Sequence, residues 1–148
     1  MFRGSSFHTI DKKGRIVIPT RFKDSIKTPS GDGVIVTAWD ECLYSYSFER
    51  WYEIEAKILS IAETNDYMRR IKRFLIGHAS ECFCDSQGRI LIPPSLRMYA
   101  KLEKNIALVG VLDHFEIWSS EILEKENMKM NEDREKEQIK AEIAKLGL

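Results

Sequence analysis

The pattern of hydrophobic and polar residues changes period several times along this chain of 148 residues. Runs of β-branched or alternating apolar residues predict strands, and apolar residues recurring every three or four positions predict helices. The predicted strands span residues 7–10, 15–18, 34–37, 43–48, 79–84, 89–92, 105–112 and 115–118. The predicted helices span 20–26, 49–62, 67–77, 93–100 and a charged tail, 119–146. The pattern therefore predicts a mainly β protein with α-helices.

One stretch of nine residues occurs twice, 74 positions apart. Asp, Gly, Arg, two Ile and Pro match at the same offsets, and the similarity extends to 34–40 and 107–113. Two units of about forty-five residues are too few for a solenoid and too small for separate cores. We expect them to bury their apolar faces against each other as a pseudo-twofold barrel or sandwich. The copies are Asp11-Lys12-Lys13-Gly14-Arg15-Ile16-Val17-Ile18-Pro19 and Asp85-Ser86-Gln87-Gly88-Arg89-Ile90-Leu91-Ile92-Pro93.

Each copy opens with a predicted hairpin turn whose Gly is followed directly by Arg. Aspartate at the first turn position can bond to the backbone two residues on, and glycine can take the positive φ that ends such a loop. A guanidinium forms two parallel hydrogen bonds with a phosphate or with guanine, and β-ribbons enter DNA grooves. The alternative is a solvated arginine that pairs with the aspartate four residues earlier, and both roles are compatible. The candidate DNA contacts are Arg15, Lys13, Lys12, Arg89 and Arg3, and the turn-forming residues are Asp11, Gly14, Asp85 and Gly88.

The net charge is zero but its distribution is uneven. Residues 1–27 carry seven positive and two negative side chains, whereas residues 121–148 carry eight acidic and six basic ones. Any surface that attracts an anionic partner is therefore local. A second basic cluster lies at 69–73, for which a solvated helix face or a subunit contact is favoured over nucleic-acid contact.

Other functional classes find little support in the sequence. The apolar run 106–112 is too short for a membrane span, and an apolar signal region is missing, so we expect a cytoplasmic protein. The odd number of cysteines predicts buried thiols rather than disulfides. Cys82 and Cys84, with His78, lack a second pair for a tetrahedral metal site. Without a nucleophile motif or a phosphate loop, we expect no catalytic residue, cofactor, metal, membrane or small-molecule substrate.

The repeated turns and their flanks resemble the bacterial MraZ family, and each half resembles a SpoVT/AbrB-type DNA-binding unit. The residues that carry the resemblance are Met1-Phe2-Arg3-Gly4, Asp11 to Arg15, Ile18-Pro19-Thr20-Arg21 and Asp85 to Pro93. The resemblance covers residues 1–118 and implies two swapped-hairpin repeats that form one double-split β-barrel. The implied divisions are repeat one at 5–50, connecting helices at 51–78, repeat two at 79–122 and a charged helical tail at 123–148.

The resemblance implies a transcriptional regulator that binds short G-rich direct repeats in double-stranded DNA, upstream of the division and cell wall gene cluster. It further implies a ring-shaped homo-oligomer of eight or more subunits, associated with the nucleoid. Because Ser86 and Gln87 replace two lysines, we expect the first turn to be the principal reader. The helical stripe Trp51, Ile54 and Ile58 either forms the subunit interface or covers the barrel. The alternative function is an antitoxin-like interaction module that uses the C-terminal helix.

Overall fold

The computed structural model describes residues 1–61 and 65–148, which form a mixed α/β protein. The strands are β1 (Ser5–Thr9), β2 (Arg15–Val17), β3 (Lys27–Thr28), β4 (Gly31–Trp39), β5 (Cys42–Tyr46), β6 (Ser80–Phe83), β7 (Arg89–Leu91), β8 (Asn105–Gly110) and β9 (Phe115–Ser119). The helices are α1 (Thr20–Lys23), α2 (Phe48–Leu59), α3 (Asp66–His78), α4 (Pro94–Tyr99), α5 (Ser120–Asp133) and α6 (Glu137–Ala144).

The predicted elements are confirmed, with shifted ends and a different balance between the two types. In the described part of the chain more residues lie in helices than in strands, so "mainly β" was wrong. Helix α2 ends at Leu59, and the predicted end at residue 62 lies outside the described residues. Asn65 caps α3, since its side-chain oxygen accepts hydrogen bonds from Tyr67 N at 3.0 Å and Met68 N at 3.2 Å. The tail forms two helices, α5 and α6, instead of one.

The first strands of the two repeats pair across the halves of the chain. Strand β1 pairs with β8 of the second half, and β6 pairs with β4 of the first half, both antiparallel. The sequence predicted that 7–10 and 15–18 would pair as one hairpin, and this was wrong. A hydrogen bond from Asp11 N to Arg15 O, at 3.2 Å, closes the turn, but β1 and β2 then diverge towards different partners. Each half therefore completes the sheet of the other, consistent with halves too small to hold separate cores.

The strands that follow the two turns form a short antiparallel ribbon. Arg15 lies opposite Leu91, Ile16 opposite Ile90, and Val17 opposite Arg89. The ribbon continues into the turns, because Ile18 N donates to Gly88 O at 3.0 Å and Ile92 N donates to Gly14 O at 2.8 Å. The two repeated stretches are thereby bound directly to each other. Prolines follow at positions 19 and 93 and end the ladder, since proline has no N–H to donate.

The remaining strands form one antiparallel sheet in the order β1, β8, β9, β5, β4, β3, with β6 also on β4. Within the described residues this order is open and the β2–β7 ribbon is a separate sheet, so a closed barrel is not found. A single core joins both repeats. Its members include Phe2, Ile16, Ile18, Phe22, Val34, Leu43, Ile90, Ile92, Leu96, Ile106 and Phe115.

The apolar stripe of α2 packs on the sheet of its own chain. Trp51 is 2% exposed, Ile58 is 9% exposed and Ile54 is partly buried. The Trp51 ring lies 5.6 Å from the ring of Tyr46 on β5. The stripe therefore covers the sheet, and its assignment to a subunit interface was wrong.

The predicted burial of the thiols is confirmed for Cys42, which is fully buried, and for Cys82, which is 4% exposed. Cys84 is partly buried. Among the helices in the described ranges, none combines the length and the hydropathy that crossing a membrane requires.

Candidate nucleic-acid interface

The β2–β7 ribbon has one buried face and one exposed face. Ile16 and Ile90 are fully buried, and because side chains alternate along a strand their neighbours point the opposite way. The exposed face carries Arg15, Val17, Arg89 and Leu91. Arg15 and Arg89 occupy diagonal positions, and diagonal neighbours in such a ribbon lie about 7–8 Å apart. The fold thus places the two arginines predicted from sequence on one surface.

Asp11 organises the first turn through both carboxylate oxygens. Its Oδ1 accepts hydrogen bonds from Lys13 N at 3.0 Å and Arg15 N at 2.9 Å, and its Oδ2 accepts from Arg15 Nε at 2.5 Å. The backbone N–H of Arg15, and then its guanidinium, hold the pKa of Asp11 at about 2. Gly14 has a φ of 91°, a conformation that glycine adopts without strain.

The second turn repeats this arrangement. Asp85 Oδ1 accepts from Gln87 N at 2.9 Å and Arg89 N at 3.0 Å, and Oδ2 accepts from Arg89 Nε at 2.9 Å. The same contacts lower the pKa of Asp85, with the Arg89 backbone N–H as the main cause. Gly88 has a φ of 74°. The aspartate therefore orients the arginine and shapes the turn, which confirms the pairing considered from sequence. The contact of these arginines with DNA stays a prediction.

Both ion pairs engage the arginine Nε and thereby hold the guanidinium in place. The Arg15 and Arg89 side chains are 31% and 26% exposed. A guanidinium held in this way is pre-oriented, so less rotamer entropy is lost when its terminal nitrogens meet a phosphate or a base edge.

The other predicted contacts divide into two groups. Lys12 and Lys13 are exposed in the first turn, next to Arg15. Arg3 is exposed but lies beyond the opposite end of β1 from that turn, where its carbonyl oxygen accepts a hydrogen bond from Arg21 Nε at 3.0 Å. The structure therefore groups the two lysines with Arg15 and places Arg3 beside α1.

Two basic residues near the turns were missed from sequence. Arg97 of α4 contacts Gly14: a Cβ built on that glycine would lie 2.7 Å from Arg97 Cζ. Lys23 of α1 contacts Gly88, where a Cβ would lie 2.5 Å from Lys23 Nζ. Each turn is therefore covered by a cation from the other repeat. The 74-residue spacing of these two cations equals that of the repeat, and this was the available signal.

The second basic cluster has partners within α3. Arg69 forms an ion pair with Asp66, and the Arg70 guanidinium lies 5.7 Å from the centre of the Tyr67 ring. Helix neighbours three residues apart commonly pair in this way on a solvated face. These pairs support a solvated helix face, one of the two interpretations favoured from sequence, and the subunit contact stays a prediction.

A groove of about 480 Å³ lies among α3, the last residues of β4 and the end of α4. Trp39, Phe74 and Tyr99 form its apolar walls, and Asp40 and Arg70 are its charged lining residues. Catalytic groups normally occur as a nucleophile with a base in hydrogen-bond reach, and these lining residues do not include such a pair.

A family model described as "MraZ protein, putative antitoxin-like" matches residues 1–74 and again residues 75–143. The chain belongs to the MraZ family. A protein of Desulforapulum autotrophicum named "Transcriptional regulator MraZ" is 58% identical over 148 residues, covering all of both chains. A protein of the same name from Desulfosudis oleivorans is 49% identical over 149 aligned positions, again covering both chains fully.

A third relative of that name, from Shewanella denitrificans, is 50% identical over 121 residues, or 80% of this chain and 79% of its own. The two matches of the MraZ model meet within α3, between Phe74 and Leu75, so each match contains one Asp–Arg turn. Membership of the MraZ family and the names of these relatives support a role in the regulation of transcription.

Proposed function

We propose that this chain is a sequence-specific regulator of transcription that binds double-stranded DNA through its paired Asp–Arg turns. The observation that carries the proposal is the β2–β7 ribbon, which presents Arg15 and Arg89 on one exposed face. The major groove accommodates a two-stranded ribbon, and arginine reads guanine there through O6 and N7. A separation of about 7–8 Å between diagonal positions corresponds to about two base-pair steps of 3.4 Å.

The roles divide by chemistry and position. Arg15 and Arg89 are the proposed base contacts, because their guanidinium groups are oriented by Asp11 and Asp85. Lys12 and Lys13 are the proposed phosphate contacts of the first turn, and Arg3 is a more distant one. The first turn is the principal reader under this assignment. It carries three of the proposed cations, Lys12, Lys13 and Arg15, whereas the second turn carries Arg89.

We further propose that 5–50 and 79–122 are SpoVT/AbrB-like swapped-hairpin repeats that share one sheet, joined by 51–78 and followed by the tail 123–148. The exchange of β1 and β6 between the halves supports this architecture. The proposed binding sites are short G-rich direct repeats upstream of the division and cell wall gene cluster. The proposed location is the cytoplasm, in association with the nucleoid.

A ring of eight or more subunits is part of the proposal. One subunit offers few phosphate contacts, so its affinity at physiological salt should be low. A ring that contacts several spaced repeats raises the effective concentration of each further site and converts weak contacts into tight binding.

The test is a gel shift with duplex DNA from upstream of the gene for this chain, using wild type and the Arg15→Ala, Arg89→Ala double variant. We expect the double variant to lose specific binding while size-exclusion chromatography shows an unchanged oligomer. Arg134→Ala, which removes an exposed arginine of the tail, is the matched control. Undiminished binding by the double variant contradicts the assigned site, and recovery of unrelated genomic fragments in a pulldown contradicts the proposed target.

An antitoxin-like interaction module is the second candidate, favoured by the family description and by the exposed residues of α5 and α6. Deletion of residues 127–148 separates the two candidates. DNA binding survives the deletion under the first proposal, whereas capture of a protein partner fails under the second.

A further inference from the structure

Each Asp–Arg turn is covered by a basic side chain from the short helix of the opposite repeat. At Gly14, a Cβ would lie 2.7 Å from both Cζ and Nε of Arg97 and 3.0 Å from its Cδ. At Gly88, a Cβ would lie 2.5 Å from Lys23 Nζ and 3.1 Å from its Cε. Side chains this close rest on the glycine backbone, which is why both glycines are buried although they belong to surface turns.

The two contacts are related by the internal symmetry of the chain. Lys23 and Arg97 are 74 residues apart, as are Gly14 and Gly88. Both cations lie in the short helix that follows the proline of each repeated stretch, and both cross to the other repeat. The crossing follows from the pairing of β2 with β7, since each helix starts where the opposite turn ends.

The position of Arg97 is fixed by a second contact. Its Nε donates to Ile92 O at 3.0 Å, and Ile92 N donates to Gly14 O at 2.8 Å. The guanidinium is therefore held against the turn that carries Lys12 and Lys13. On the other turn, Lys23 lies close enough to oppose the rise that burial causes in the pKa of Cys84.

We propose that Lys23 and Arg97 are phosphate-contacting residues of the DNA interface, each completing the turn of the opposite repeat. This inference rests on the proposed function and extends it: each half of the interface is built from both repeats. The second turn, in which Ser86 and Gln87 replace the two lysines, regains one positive charge from Lys23. Phosphate contacts carry no base sequence, so the two cations contribute affinity rather than specificity.

The experiment measures the dependence of DNA affinity on salt by fluorescence anisotropy, with a labelled duplex from upstream of the gene for this chain and a scrambled duplex. Each phosphate contact contributes about 0.9 to the slope of log K against log salt. We expect Lys23→Gln and Arg97→Gln to lower the slope as much as Lys12→Gln does, and to weaken both duplexes by the same factor. Lys23→Arg and Arg97→Lys keep the charge and should keep the slope.

Lys145→Gln, which removes one exposed charge from the tail, is the matched control and should leave the slope unchanged. Thermal unfolding identifies a variant that binds less only because it is less folded. If Arg97→Gln is such a variant, the salt slope of Arg97→Lys decides whether the charge at position 97 contacts phosphate. If Lys23→Gln and Arg97→Gln behave like Lys145→Gln while Arg15→Ala loses specific binding, the inference is overturned and the proposed function stands. If wild type binds neither duplex, both are overturned.

Discussion

The two Asp–Arg turns share a backbone and differ in charge. In each, the aspartate accepts two backbone N–H groups at 2.9–3.0 Å and the arginine Nε at 2.5 or 2.9 Å. In each, the glycine has a positive φ. Between these shared residues the first turn has Lys12 and Lys13, whereas the second has Ser86 and Gln87.

The comparison separates residues that form the turn from residues that act on its surface. Aspartate, glycine and arginine are retained in both copies because the turn geometry depends on them. The two middle residues of each turn are exposed to solvent, and the turn geometry does not depend on their side chains. Their charge can therefore differ between the two copies. One scaffold used twice can therefore present two surfaces of unequal charge.

The largest effect is expected from exchanging the middle residues of the turns. Lys12→Ser with Lys13→Gln should lower the salt slope by about 1.8 per bound subunit, at about 0.9 for each phosphate contact, and weaken DNA binding about tenfold or more. Ser86→Lys with Gln87→Lys should change both quantities in the opposite direction. Anisotropy titrations over a range of salt concentrations measure both quantities.

Lys140→Gln with Lys145→Gln removes the same charge from the tail and is the control for this exchange. Slopes that do not change in either turn variant would contradict the assignment of these positions to phosphate contacts.

A smaller effect is expected on the free energy of unfolding when a turn glycine is replaced. Gly14→Ala and Gly88→Ala each place a Cβ at positive φ, which costs about 1–2 kcal/mol. Gly14→Ala should cost more, because its Cβ meets the anchored Arg97 side chain, whereas at Gly88 it meets the free end of Lys23. Urea unfolding measures both. Gly77→Ala, with open space around its Cβ in α3, should not destabilise the protein, and equal losses at Gly14 and Gly77 would contradict this explanation.

The smallest effect is expected from the protonation of the two aspartates. The pKa of Asp11 is lowered from 3.8 to about 2, so its contribution to stability is complete above pH 3.8 and is lost as the pH falls through about 2. The pKa of Asp85 is lowered as well, so its contribution is lost in the same direction. Carboxyl carbon NMR titrations measure both pKa values.

Arg15→Gln tests the physical cause of this shift. Because the backbone N–H of residue 15 is the largest single cause of the shift, the pKa of Asp11 should stay below its ordinary value in the variant. A return of that pKa to its ordinary range would assign the shift to the guanidinium instead.

Much of the local structure was predictable from sequence because it depends on near neighbours. The turn of Asp11, the positive φ of Gly14 and the cap by Asn65 each involve residues within four positions of one another. The pairing of Arg15 with Asp11 is of the same kind. The pairing partner of a strand was not predictable in this way. An alternating pattern indicates which face of the strand is buried but not which strand lies beside it.

The sequence by itself determined the elements, the two turns, the orientation of each arginine towards its aspartate and the existence of two equivalent halves. Only the tertiary structure decided that β2 pairs with β7, which brings Arg15 and Arg89 onto one face. It also decided that Lys23 and Arg97 cross to the opposite turns. The physical reason is that each half buries its apolar surface by completing the sheet of the other, and contacts 74 residues apart follow from that packing rather than from local propensity.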